Sequence, residues 1–113
     1  MTHAPVNDLT AVSAELLTVA RAASGRATRT LVGERGQPMH QMLVALLAEE
    51  SLAEHGNPGQ ASVQVLHGAL TVTTDGQSLA GQAGSLITIP DEPHAVRADQ
   101  DTVFLLTVAT RQT

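Results

Sequence analysis

Gly84-Ser85-Leu86-Ile87-Thr88-Ile89-Pro90-Asp91-Glu92-Pro93-His94 places one short β-prone run between two chain reversals. Ser85–Ile89 is aliphatic and β-branched, the composition of a strand with at least one packed face. Gly81-Gln82-Ala83-Gly84 ahead of it reads as a tight turn. It opens a strand rather than a helix, so it is not a phosphate-binding loop. Behind the run, Pro90 and Pro93 lack backbone donors and turn the chain out of its ladder. His94 then opens the next run, His94–Arg97.

The same texture extends outward in both directions. Ala27–Val32, Gln41–Leu47, Ser62–Leu66, Ala69–Thr73 and Val103–Ala109 are further candidate strands. Gly33-Glu34-Arg35-Gly36, Gly56-Asn57-Pro58-Gly59 and Asp75-Gly76 separate them, the last being a hairpin signal. Short strands at regular spacing without intervening helices predict an antiparallel sandwich or barrel. Ahead of them, Leu9, Val12, Leu16, Val19, Ala20 and Ala23 recur at spacings of three and four, which predicts one helix over Asn7–Ser24. Asn7 or Asp8 can cap its start, and Gly25 can supply the left-handed residue past its end. The expected organisation is one all-β domain over residues 1–113, with the helix at 7–24 and a barrel at 27–109.

Composition narrows the chemistry. The chain has 113 residues, 42% of them apolar, and Phe104 is its single aromatic residue. The core must therefore be built from Leu, Val, Ile and Ala, and stacking platforms for single-stranded nucleic acid are excluded. A net charge of −5 argues against binding phosphate backbones. The absence of cysteine removes disulfides, thiolate metal sites and cysteine nucleophiles together. No apolar run approaches the roughly 20 residues of a membrane span. Met1-Thr2-His3-Ala4-Pro5 lacks the basic and apolar segments of a secretory signal, so the expected location is cytoplasmic. Charged residues are 15% of the chain, against about 25% in an average domain, which predicts that a twin subunit covers part of the surface as a homodimer.

Gly84, five residues, Pro90, a short turn and His94 resemble the second motif of the cupins. The first cupin motif is Gly, five residues, His-x-His, three or four residues, Glu, six residues, Gly. Anchored on Gly68, it places His55 at the first histidine, Asn57 at the second, Ala61 at the glutamate and Glu49 at the opening glycine. The chain as a whole resembles small single-domain cupins with an N-terminal helix. That resemblance implies a double-stranded β-helix, the RmlC-like jelly roll, with a cavity between its sheets. It also implies that the first-motif histidines, the glutamate and the second-motif histidine converge there on a divalent transition metal.

The altered motif leaves alternatives open. His55 and His94 can bind a metal if a third ligand joins them, but the motif's carboxylate is replaced by Ala61, and Asn57 offers only an amide oxygen. His40 is a possible substitute; strand parity places it with Met42, Val44 and Leu46, without saying which face is inward. His67 and His3 read as surface residues. One reading is a small-molecule binder with an aliphatic barrel pocket, His55 and His94 as its polar centre, and Asn57 and His40 nearby. The alternative is a metal-dependent cupin enzyme of oxygenase, isomerase or hydrolase type with an atypical histidine site. A third is a protein–protein module in which the N-terminal helix docks a partner.

Overall fold

Asp8 starts the helix. Its Oδ1 accepts the backbone N–H groups of Thr10 and Ala11 at 3.1 and 3.2 Å, satisfying two donors that the first turn leaves unpaired. The helix, α1 (Leu9–Ala22), is slightly shorter than the 7–24 expected. Gly25 closes it at φ +92°, donating its N–H to the Ala20 carbonyl at 3.0 Å. Ser13, Leu16, Leu17 and Ala20 form its buried face.

The structure is a computed structural model that describes residues 4–54 and 59–110, with Glu54 described by its backbone alone. Among these residues nine strands follow α1: β1 (Arg26–Val32), β2 (Met39–Leu46), β3 (Ser51–Glu54), β4 (Gly59–His67), β5 (Ala69–Thr73), β6 (Ser78–Gln82), β7 (Leu86–Ile89), β8 (His94–Ala98) and β9 (Thr102–Thr110). They form a five-stranded sheet in the order β1-β2-β9-β4-β7 and a four-stranded sheet in the order β3-β8-β5-β6. Every pairing is antiparallel. The architecture is an all-β jelly roll with one helix. No helix among the described residues is long and apolar enough to cross a membrane.

Alternation along the strands explains the layering. On β4, Ala61, Val63 and Val65 are buried while Gln60 and Gln64 are exposed. Val44, Val65, Leu70, Ile87, Val96 and Phe104 belong to the cluster between the sheets. A second cluster joins Leu16, Leu17 and Ala20 of α1 to Leu31, Leu43, Ala45 and Val103, so the helix covers part of the five-stranded sheet's outer face. Of the helix stripe read from the sequence, Leu9, Val12, Leu16 and Ala20 pack on the chain's own sheet, while Val19 and Ala23 are exposed.

Two strands were missed by pattern. β3 is Ser-Leu-Ala-Glu, in a segment that reads as an acidic loop, and only Leu52 reaches the core. β6 is Ser-Leu-Ala-Gly-Gln, and only Leu79 does so. Both lie at the edges of the smaller sheet, where pairing to a neighbour outweighs weak intrinsic preference. The Asp75-Gly76 hairpin forms, with Thr74 N–H donating to the Gln77 carbonyl at 2.9 Å. Gly76 does not take a positive φ, so this is not the mirror-image turn that the dipeptide favours.

Asp101, in the β8–β9 turn, ties three segments together. Its Oδ1 accepts the Ala48 N–H at 2.9 Å, and its Oδ2 lies 3.3 Å from the Arg21 guanidinium on α1. The Ala48 hydrogen bond, with help from Arg21, lowers the Asp101 pKa below its ordinary value. A depressed folded-state pKa stabilises the fold above the carboxyl's unfolded pKa, and that contribution disappears as pH falls through the folded value. Asp101→Asn removes this titration. Below about pH 4, where an ordinary carboxyl titrates, its stability in urea is expected to fall less steeply than the wild type's. Parallel acid limbs for the two proteins would contradict this linkage.

Candidate functional site

The Pro90–Pro93 turn delivers His94 to the first position of β8. His94, Val96 and Ala98 alternate inward, and His94 is only 6% exposed. Its Nδ1 lies 3.2 Å from the Glu92 carbonyl, an acceptor only, so Nδ1–H donates. In a neutral ring that leaves the lone pair on Nε2. On its other side the His94 backbone pairs with Glu54 of β3.

Ala61 stands on β4 where the first motif has its carboxylate. It is 7% exposed and points into the barrel, packed in the cluster with Val63 and Ile89. Across the five-stranded sheet His40, Val108, Ala61 and Ile89 form one row of register partners. Val44 and Leu46 belong to the inner cluster and Met42 packs on it, so parity puts half-buried His40 on the inward face of β2. Sequence reading could not decide that face. His67 is exposed at the end of β4, as expected. His55, Asn57 and His3 lie outside the described residues.

The motif glycines have a backbone reason. Gly68 and Gly84 have φ of +82° and +95°. Glu49, at the first motif's opening glycine position, is the one non-glycine with positive φ among the described residues, at +74°. Hydrogen bonds from Glu49 N–H to the Ala98 carbonyl (2.8 Å) and from Ala98 N–H to the Glu50 carbonyl (2.9 Å) hold it there. The left-handed bend that glycine makes easy is thus kept after the glycine itself is gone.

No protein-family model and no curated protein matches the chain. Solved structures do. A conserved protein of unknown function from Streptococcus pyogenes is 25% identical, with a TM-score of 0.74 over 100% of this chain and 93% of that one. A cupin superfamily protein from Desulfitobacterium hafniense is 17% identical, with a TM-score of 0.69 over 76% of this chain and 78% of that one. The cupin domain of an XRE-family transcriptional regulator from Enterobacter cloacae is 15% identical, with a TM-score of 0.68 over 78% and 99%. The chain has the cupin fold.

Within this fold the described donors do not fit the metal that the cupin resemblance implies. His94 and His40 face inward, but the carboxylate position carries a methyl group set among aliphatic side chains. Among the described residues no three His, Asp or Glu side chains gather to hold an ion. A divalent site of two imidazoles, without a carboxylate to offset the ionic charge, is short of the three or four ligands such ions usually take. A groove of about 640 Å³ does not have His94 in its lining. It is lined by Gln60, Ser62, Thr88 and Thr107 of the five-stranded sheet, and its lining also takes in Ala61 and Asp91. Sequence reading missed it, because those residues are the polar members of alternating strands and pass for ordinary solvated surface.

Proposed function

We propose that this cupin binds a small, largely aliphatic molecule at the His94 end of its barrel. The observation that carries the reading is the burial of the His94 imidazole on the inward side of β8, in line with Val96 and Ala98, with Nδ1 spent on the Glu92 carbonyl. An imidazole so held gives the barrel interior one oriented polar group, while the aliphatic core around the cavity selects by shape. His55, Asn57 and His40 are the further polar contacts in this reading. The occurrence of a cupin domain in an XRE-family transcriptional regulator supports a sensing or carrying role over turnover.

Two measurements test this. Protein purified without a histidine tag is expected to carry only substoichiometric metal by elemental analysis, and to retain small organic molecules visible by native mass spectrometry. His94→Ala is expected to weaken binding of a retained molecule about tenfold, the loss of one good hydrogen bond. Stoichiometric iron or zinc that disappears in His94→Ala would overturn the reading and favour a metal-dependent cupin enzyme.

A further inference from the structure

We propose that Asp75 is a site of spontaneous covalent modification, where the bond to Gly76 migrates from the α- to the β-carboxyl and leaves an isoaspartate at the tip of the β5–β6 hairpin. The reaction needs an aspartate followed by a residue with no side chain to crowd the attacking nitrogen. Asp75-Gly76 is the one Asp-Gly or Asn-Gly step in the sequence. It also needs an unbound carboxyl and a backbone that can turn toward it.

The structure separates Asp75 from three other aspartates on these counts. Asp8 Oδ1 accepts two backbone N–H groups at the head of α1. Asp99 Oδ2 accepts the Thr71 hydroxyl at 2.8 Å. Asp101 is held by the Ala48 N–H and by Arg21. Asp75 and Gly76 are exposed, and neither the Asp75 carboxylate nor the Gly76 N–H has a partner among the described residues. The neck of the turn is lightly closed. Thr74 N–H donates to the Gln77 carbonyl at 2.9 Å, but Gln77 N–H donates to Thr74 Oγ1 at 3.1 Å rather than to a carbonyl. Between these two bonds Asp75 and Gly76 reorient on the nanosecond-to-microsecond timescale of loops, far faster than the chemistry.

The Gly76 nitrogen attacks Cγ of Asp75, and the new N–Cγ bond closes a five-membered succinimide. One water leaves, made of the carboxyl hydroxyl and the amide hydrogen. Water then adds back at either imide carbonyl. Breaking the N–Cγ bond restores aspartate. Breaking the other N–C bond leaves Gly76 attached through Cγ, with the former main-chain carbonyl as a free carboxylate. Composition is unchanged, and water is the sole co-reactant.

The product carries one extra carbon in the main chain, inside the short loop that sets Thr73 opposite Ser78. Little else fixes that register. β6 is an edge strand paired to β5, and Leu79 is its one side chain packed on the core. Conversion at the tip therefore loosens β6 and leaves the five-stranded sheet as it was.

The test ages the full chain beside a synthetic peptide of residues 71–80, at near-neutral pH and physiological temperature. Chromatography of digests with electron-transfer fragmentation distinguishes the two linkages. Residue 75 of the protein is expected to split into two species of equal mass, through a transient species lighter by one water. Its rate should lie within several-fold of the peptide's. Gly76→Ala is expected to slow conversion several-fold. The fold accepts this variant, because a Cβ there meets nothing within 4 Å and φ is not positive. In the converted protein, amide exchange is expected to speed up in β6 and not in β2 or β9. An Asp75 that stays α-linked while the peptide converts would overturn the site, as would equal rates for Gly76→Ala and wild type. Unchanged exchange in β6 after conversion would overturn its coupling to the strand.

Discussion

Gly68→Ala is expected to destabilise the fold by roughly 3–5 kcal/mol, a large share of the 5–15 kcal/mol that holds a typical domain together. Gly68 has φ +82°, where a side chain costs about 1–2 kcal/mol by itself. A Cβ there would also overlap the Asp101 carbonyl oxygen and come within 2.6 Å of Thr102 Oγ1. Neither can step aside. The Thr102 hydroxyl is fully buried, lies 2.9 and 2.8 Å from the carbonyls of Ala69 and Gln100, and accepts the Ala69 N–H at 3.2 Å. Asp99 N–H donates to the Ala69 carbonyl at 2.9 Å, so the whole β8–β9 turn is pinned against the β4–β5 junction. Gly84→Ala provides the comparison, because a Cβ at that position meets nothing within 4 Å. It should cost only about 1–2 kcal/mol, the backbone component alone. Urea titrations followed by circular dichroism distinguish the two, and equal costs would show that close approach is not what makes Gly68 necessary.

Phe104→Ala is expected to cost about 3–5 kcal/mol. Phe104 is fully buried on β9, between its register partners Val44 and Val65, and is the bulkiest side chain of the inner cluster. Truncation removes its transfer free energy and leaves a void in a region where both sheets contribute side chains. Phe104→Leu, which keeps much of the volume, should cost less than about 1.5 kcal/mol if the neighbours settle around it. The gap between the two variants is the informative quantity. If leucine costs as much as alanine, shape rather than volume governs this core.

Much of the fold could be read from residue order because its punctuation is chemical. Gly84, Pro90 and Pro93 bracket β7 and place His94 at the head of β8, and the three- and four-residue spacing of apolar residues marks α1. Aligning the first motif on Gly68 put Glu49 at a glycine position, and the left-handed backbone found there gives that alignment a physical basis. β3 and β6 escaped because each sends one substantial apolar side chain inward and owes its existence to neighbouring strands. The inward face of His40 escaped because parity groups residues without saying which group is covered.

The enclosure of Phe104 has a consequence for the bench. With no tryptophan or tyrosine in the chain, the folded protein is nearly transparent at 280 nm and has no intrinsic emission from an indole or phenol. Any absorption or fluorescence in that window from a purified sample therefore belongs to a passenger. The molecule is its own optical blank, suited to detecting an aromatic or conjugated guest without a label.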